Sequence, residues 1–126
     1  MIGAFATKAR DAVDRLREAG EKVGLVRPRL LRPWPVAALR RLLAGKEAVA
    51  VIDQNISMGK GGVLHTELAS ALYGEKAAPP LLASFIGGLG GRDISAEEFY
   101  EIAAVMRQAI AKGETPPPRL LFTATE

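Results

Sequence analysis

Apolar residues recur along this chain with two different periods, and the switches between them mark out its elements. Phe5, Ala9, Ala12, Val13 and Leu16 repeat at i, i+4, i+7, i+8 and i+11 with charged residues between them, the stripe of an amphipathic helix. Thr7 is its expected cap and Gly20 its expected stop. Val23-Gly24-Leu25-Val26 reads as a buried strand running on toward Leu30 and Leu31. Pro28 has no N–H to give to a ladder, so that strand is expected at an edge or at a bulge. Arg32-Pro33-Trp34-Pro35 is a stiff turn, because each proline pushes the residue before it into an extended conformation. Pro35 then opens a short helix with Val36, Leu39, Leu42 and Leu43 on one face and a stop near Gly45.

The pattern repeats twice more. Ala48 to Ile52 is a continuous apolar run ending in Asp53, as a central strand requires. Leu64, Leu68, Ala71 and Leu72 form a helical stripe closed by Gly74, and a polar connector from Glu75 to Pro80 leads to the strand Leu81 to Ile86. Ser95-Ala96-Glu97-Glu98 is a capping-box sequence ahead of a helix carrying Phe99, Ile102, Ala103, Met106 and Ile110. Pro116-Pro117-Pro118 is expected to end all regular structure, leaving residues 1–115 as the domain and 116–126 as a proline-led tail that either docks or stays loose.

This alternation of helix and strand predicts an α/β fold, a three-layer α/β/α sandwich with a mainly parallel sheet. Such a sandwich ordinarily begins with a strand, yet only Met1-Ile2-Gly3-Ala4 precede the first helix. Either the sheet is one strand short or the strand comes from elsewhere, and an unpaired sheet edge invites self-association. The chain is expected to be a domain cut from a longer one.

Composition narrows the function. At 126 residues the chain makes one domain, and with only 6% aromatic residues its core must be aliphatic. No apolar run reaches the roughly 20 residues that cross a bilayer, and the N-terminus lacks the pattern of a secretory signal. The absence of cysteine excludes disulfides and thiolate-bound clusters within the chain and fits a cytoplasmic home. The net charge of +3 permits an acidic partner. Its basic residues gather locally only at Arg27, Arg29, Arg32, Arg40 and Arg41, with little aromatic interleaving, so nucleic acid is not the expected partner.

Two glycine-rich loops hold the candidate chemistry. Asp53-Gln54-Asn55-Ile56-Ser57-Met58-Gly59-Lys60-Gly61-Gly62 and Gly87-Gly88-Leu89-Gly90-Gly91-Arg92-Asp93 each follow a strand and precede a helix. In a parallel sheet such loops gather along one edge, where ligands and partner domains dock. Glycine lets backbone N–H groups approach an anion, and a helix N-terminus attracts negative charge. However, Lys60 is followed by Gly61 rather than Ser or Thr, so no Walker-type ending is present. Tight packing is the competing reading of both loops. Asp93 is expected to pair with Arg92 or to sit near the last helix's N-terminus, and Arg92 to anchor an interface. His65, the one histidine, lacks metal-ligand neighbours in sequence and reads as solvent-facing or hydrogen-bonded. Glu97, Glu98 and Glu101 read as a solvated helical face. Trp34, held between prolines, is either a core plug or an interface anchor.

Three segments taken together are more specific than either loop. Arg32-Pro33-Trp34-Pro35, Asp53-Gln54-Asn55-Ile56-Ser57-Met58-Gly59 and Gly88-Leu89-Gly90-Gly91-Arg92-Asp93-Ile94 resemble, in order and spacing, motifs of the C-terminal part of the pyruvate:ferredoxin oxidoreductase (pyruvate synthase) alpha subunit, across about Gly3 to Ala111. The departures are Trp34 for Phe, Gln54 for Arg and Met58 for Phe; Gln54 removes a charge and with it any salt bridge at that position. The resemblance implies a transketolase C-terminal-like fold with its first strand truncated. It also implies an enzyme that oxidatively decarboxylates pyruvate on thiamine diphosphate, forms acetyl-CoA and passes electrons through iron–sulfur clusters. Thiamine diphosphate, Mg and the clusters would lie in other domains or subunits, and no catalytic, cofactor or metal residue carries over to this chain. It would then be a split-gene subunit, a truncated product or an excised domain. The expected role is docking, through Arg32, Trp34, Asp53, Asn55, Gly90, Arg92 and Asp93. The alternative is a free-standing small-ligand or anion-binding module that uses the two loops.

Overall fold

The computed structural model describes residues 1–121 and has the predicted α/β architecture. In chain order the elements are α1 (Ala6–Glu18), α2 (Val36–Leu43), β1 (Ala48–Asp53), α3 (Val63–Leu72), β2 (Leu81–Ile86), a 3₁₀ turn at Leu89–Gly91, α4 (Ala96–Lys112) and β3 (Arg119–Leu120). The sheet is parallel in the order β1-β2-β3, with Ala48 opposite Leu81 and Asp53 opposite Ile86.

Strand alternation divides the core in two. Ala48, Ala50, Ile52, Ala83 and Phe85 point to one face, where α1 and α4 bring Ala9, Ala12, Phe99, Ile102 and Met106. Val49, Val51 and Leu82 point to the other, against Leu39, Leu43, Leu64, Leu68 and Leu72 of α2 and α3. The sheet is thus the middle of three layers, and its apolar strands are covered on both faces.

Helix ends follow local chemistry. Gly20 terminates α1 at a φ of 90°, with its own N–H on the Arg17 carbonyl and that of Glu21 on Leu16. Gly113 closes α4 in the same way, with Glu114 N–H reaching Ala109. Ser95 and Glu98 form the expected capping box: Ser95 Oγ accepts from Glu98 N–H and the Glu98 carboxylate accepts from Ser95 N–H at 2.7 Å.

Four expectations are corrected. Thr7 does not cap α1; it lies inside the helix, which starts from a turn in which Ala6 and Thr7 donate to Gly3 and Ala4. Val23–Val26 belongs to no strand, although Leu25 packs on the α1/α4 side and Val26 on the α2/α3 side, as alternate strand residues would. It has the side-chain alternation but no ladder neighbour. Regular structure does not end at the three prolines, because β3 pairs with β2 and buries Leu121. The rest of the tail, residues 122–126, lies outside the described residues. Glu98 is not on a solvated face: it is 6% exposed, drawn in by the capping box.

Candidate functional site

The two loops meet at the C-terminal end of the sheet, where Gly87 N–H donates to the Asp53 carbonyl at 2.9 Å. Asp53 is the centre of this edge. It is the last residue of β1 and only 1% exposed, and its carboxylate accepts from Leu64 N–H at 2.8 Å, His65 N–H at 3.1 Å and Asn55 Nδ2 at 3.4 Å. Asn55 Oδ1 accepts from Val63 N–H at 2.9 Å. The first N–H groups of α3 are therefore taken by side chains of the loop itself. Charge and dipole agree, since a carboxylate at a helix N-terminus is stabilised by the positive end of the macrodipole.

This explains Gly62. A Cβ built there would overlap the Asp53 carboxylate, so only glycine lets the acid reach the helix. The packing reading of this loop is the one the geometry carries. Asp53 and Asn55 already hold the N–H groups of Val63, Leu64 and His65, the helix-start donors that an anion there would otherwise use.

The second loop is spent in a similar way. Gly88, Gly90 and Gly91 have φ of 72°, 65° and 78°, which turn the chain from β2 into α4. Gly87 and Gly88 are also closely packed: a Cβ at Gly87 would stand 3.0 Å from Leu121 Cδ1, and one at Gly88 would stand 3.1 Å from Phe5 Cε2. The N-terminus of α4 is closed by its capping box.

The predicted site residues divide by position. Asp53, Asn55, Gly90, Arg92 and Asp93 stand on the two strand-end loops. Lys8 of α1 approaches both oxygens of Asp93, at 2.5 and 2.6 Å. That hydrogen bond holds the Asp93 carboxyl below its usual pKa. Arg32 is exposed and paired with Glu67 of α3 at 2.7 Å. Trp34 packs inward on the α2/α3 cluster and is not brought to the loop residues. His65 is hydrogen-bonded, through its ring, to the Leu82 carbonyl at 3.4 Å. Gln54 lies against Gly3 and Gly88, its Nε2 buried without a partner.

Two residues that sequence reasoning passed over complete the edge. Met58 at the tip of the first loop is 93% exposed and Ile56 beside it is half exposed. The loop is stiffened by a hairpin-like turn in which Ser57 N–H donates to Gly61 O at 2.8 Å and Gly61 N–H returns to Ser57 O. Apolar side chains therefore stand exposed at the tip beside Ser57 and Lys60, above a loop whose Asp53 is buried against α3.

The sequence matches, over residues 1–99, the family described as Pyruvate:ferredoxin oxidoreductase core domain II. The chain belongs to that family. Its core domain II character accords with the transketolase C-terminal-like α/β fold described above. Among curated relatives, it is 37% identical to Pyruvate synthase subunit PorA of Pyrococcus abyssi over 117 residues, 93% of this chain and 29% of the relative. It is 38% identical to Ketoisovalerate oxidoreductase subunit VorA of Pyrococcus furiosus, over 90% of this chain and 28% of that protein. Pyruvate synthase subunit PorA of Thermotoga maritima is 43% identical over 76% of the chain and 24% of the relative. This core domain II chain thus spans less than a third of the relatives it matches. Among its described residues no helix is long and apolar enough to cross a membrane, and no group of three or more His, Cys, Asp or Glu is placed to hold a metal ion.

Proposed function

We propose that this chain is a non-catalytic docking and assembly domain of a thiamine-dependent 2-oxoacid:ferredoxin oxidoreductase of the pyruvate synthase type, which converts pyruvate to acetyl-CoA. One observation supports it above the rest. At the sheet edge where α/β domains usually bind ligands, Asp53 and Asn55 serve the first N–H groups of α3, and the exposed surface combines the apolar Ile56 and Met58 with Ser57, Lys60, Arg92 and Asp93. Such a surface suits another protein better than a small charged ligand.

The docking surface would comprise the strand-end residues Asn55, Gly90, Arg92 and Asp93 around that tip. Asp53 would act from beneath by fixing the loop, and Arg32 and Trp34 would contribute from the α3 side. Thiamine diphosphate, Mg and iron–sulfur clusters would be held by partner domains or subunits. The lack of cysteine supports placing the clusters elsewhere, because this chain offers them no thiolate ligands. We take 1–115 as the domain proper and 116–126 as an appended tail, docked at least through Arg119 to Leu121, in a cytoplasmic assembly. Left alone, a chain with an open sheet edge would self-associate, which concentration-dependent sedimentation would report.

The test is direct. The purified chain, given pyruvate, thiamine diphosphate and coenzyme A, should reduce no viologen dye, and it should co-purify with thiamine-binding subunits of its host. Turnover by the chain alone would overturn the reading, as would failure to co-purify with any such subunit.

A further inference from the structure

Positive charge is concentrated in one stretch of this chain. Residues 23–45 hold five arginines and no lysine, histidine, aspartate or glutamate, a net charge of +5. The whole chain carries +3, so the remaining residues together carry −2. Soluble domains ordinarily intersperse the two signs. Here the sequence segregates them.

The fold keeps these arginines together. The connector between α1 and α2 crosses the α2/α3 layer, where Val26 and Trp34 pack against that layer's cluster. Along it, Arg27 donates to the Gly3 carbonyl at 3.4 Å, and Arg32 pairs with Glu67 at 2.7 Å. Arg40 of α2 donates to the Ala71 carbonyl at 2.7 Å and pairs with Glu75 at 3.1 Å. Glu67 and Ala71 stand one turn apart on α3, so the arginines of the connector and of α2 meet along one helix. Leu30, 50% exposed, and Leu31, 38% exposed, lie between Arg29 and Arg32.

Neutralisation of this band is incomplete. Glu67 and Glu75 are the acids paired with these arginines among the described residues, and each is engaged by one of them. Arg27 meets a carbonyl and no acid. Arg29 and Arg41 are exposed, and no described residue bonds to either guanidinium. The macrodipole of α2 accounts for Arg40 and Arg41 in its last turn. It does not account for Arg27 and Arg29, which lie on no helix.

We propose that this arginine band is a docking surface for an acidic protein segment that carries carboxylates beside aliphatic side chains. A guanidinium matches a carboxylate in a two-point hydrogen bond that lysine does not offer. Exposed leucine among arginines supplies the apolar contact that protein interfaces combine with charge. Nucleic acid fits less well, because bases stack on aromatic rings and Trp34, the one aromatic residue of the stretch, packs inward. This inference rests on the placement of charge and not on the identity of the assembly.

The probe is a fluorescently labelled synthetic peptide of alternating glutamate and leucine, titrated into the 126-residue chain and read by anisotropy. Binding should be saturable, and the peptide with glutamine for glutamate should bind about tenfold more weakly. Arg29→Glu and Arg41→Glu, at exposed positions with circular dichroism unchanged, should each weaken binding severalfold. Leu30→Ser should weaken it too, which attraction by charge alone does not predict. Arg10→Glu makes the same charge change on the exposed side of α1, in the other helical layer, and should alter affinity less than twofold. An Arg10→Glu loss equal to that of Arg29→Glu would overturn the proposal in favour of net charge. Tighter binding of a single-stranded oligonucleotide or of phosphatidylserine vesicles would overturn it in favour of another class of polyanion. No binding at millimolar peptide would overturn it outright.

Discussion

Asp53 is a charged residue that behaves as a structural one. Its buried carboxylate replaces the solvent that would otherwise satisfy the first N–H groups of α3, and Gly62 exists to make room for it. Asp53→Ala leaves two amides without acceptors at a cost of about 1–3 kcal/mol each. The unfolding temperature should accordingly fall by roughly 8–24 °C, at about 4 °C per kcal/mol for a domain of this size. Gly62→Ala should cost at least as much, because the new methyl and the carboxylate cannot share the space. Gly90→Ala is the contrast: its φ of 65° carries a strain of about 1–2 kcal/mol, but nothing stands within 4 Å of an added Cβ. Calorimetry on the three variants checks the ordering, and equal losses at Gly62 and Gly90 would contradict it. This part of the site was only half legible beforehand. A strand-end Asp is visible in sequence, but it caps a helix eleven residues later, and no local spacing rule connects Asp53 to Leu64.

Elements show where sequence patterns suffice and where they need a neighbour. The capping box at Ser95 and Glu98 is encoded within four residues, and it was readable for that reason; Ser95→Ala should cost about 1 kcal/mol, read as a fall of a few degrees in unfolding temperature. β1 and β2 were equally plain, being apolar runs buried on both faces. The Val23–Val26 expectation failed because a strand is defined by its ladder, and the structure offers that segment a cavity instead of a partner. β3 went unseen because two residues after three prolines carry no periodicity. The joint between α1 and the loop before α4 adds a pH dependence. Lys8 lowers the pKa of Asp93 in the folded state, so its contribution is fully present above the unfolded value of about 3.9 and is lost as pH falls through the depressed folded value. Wild type and Asp93→Asn should therefore differ in unfolding temperature at pH 6 and converge as the pH falls through the depressed folded value.

At the scale of the whole molecule, the sheet places two apolar features at different borders: the cavity beside β1, and the loop tip at the strand ends. The second of these bears on assembly and can be tested without touching the fold. Met58 is almost wholly exposed at the end of a turn held by its own backbone hydrogen bonds, so Met58→Asp removes nothing from the core. Its effect on stability should stay within about 0.5 kcal/mol, as for surface substitutions in general. Burying a methionine side chain against a partner is worth about 1.5–3 kcal/mol, so an aspartate there should weaken co-purification with thiamine-binding subunits by roughly tenfold to a hundredfold. Tyr73 supplies the control. It is 87% exposed at the opposite end of α3, and Tyr73→Ser should leave the association unchanged. Pull-down yields measured side by side separate the cases: if Met58→Asp and Tyr73→Ser associate equally well, the strand-end edge is not where the partner sits, even if the domain is part of the assembly.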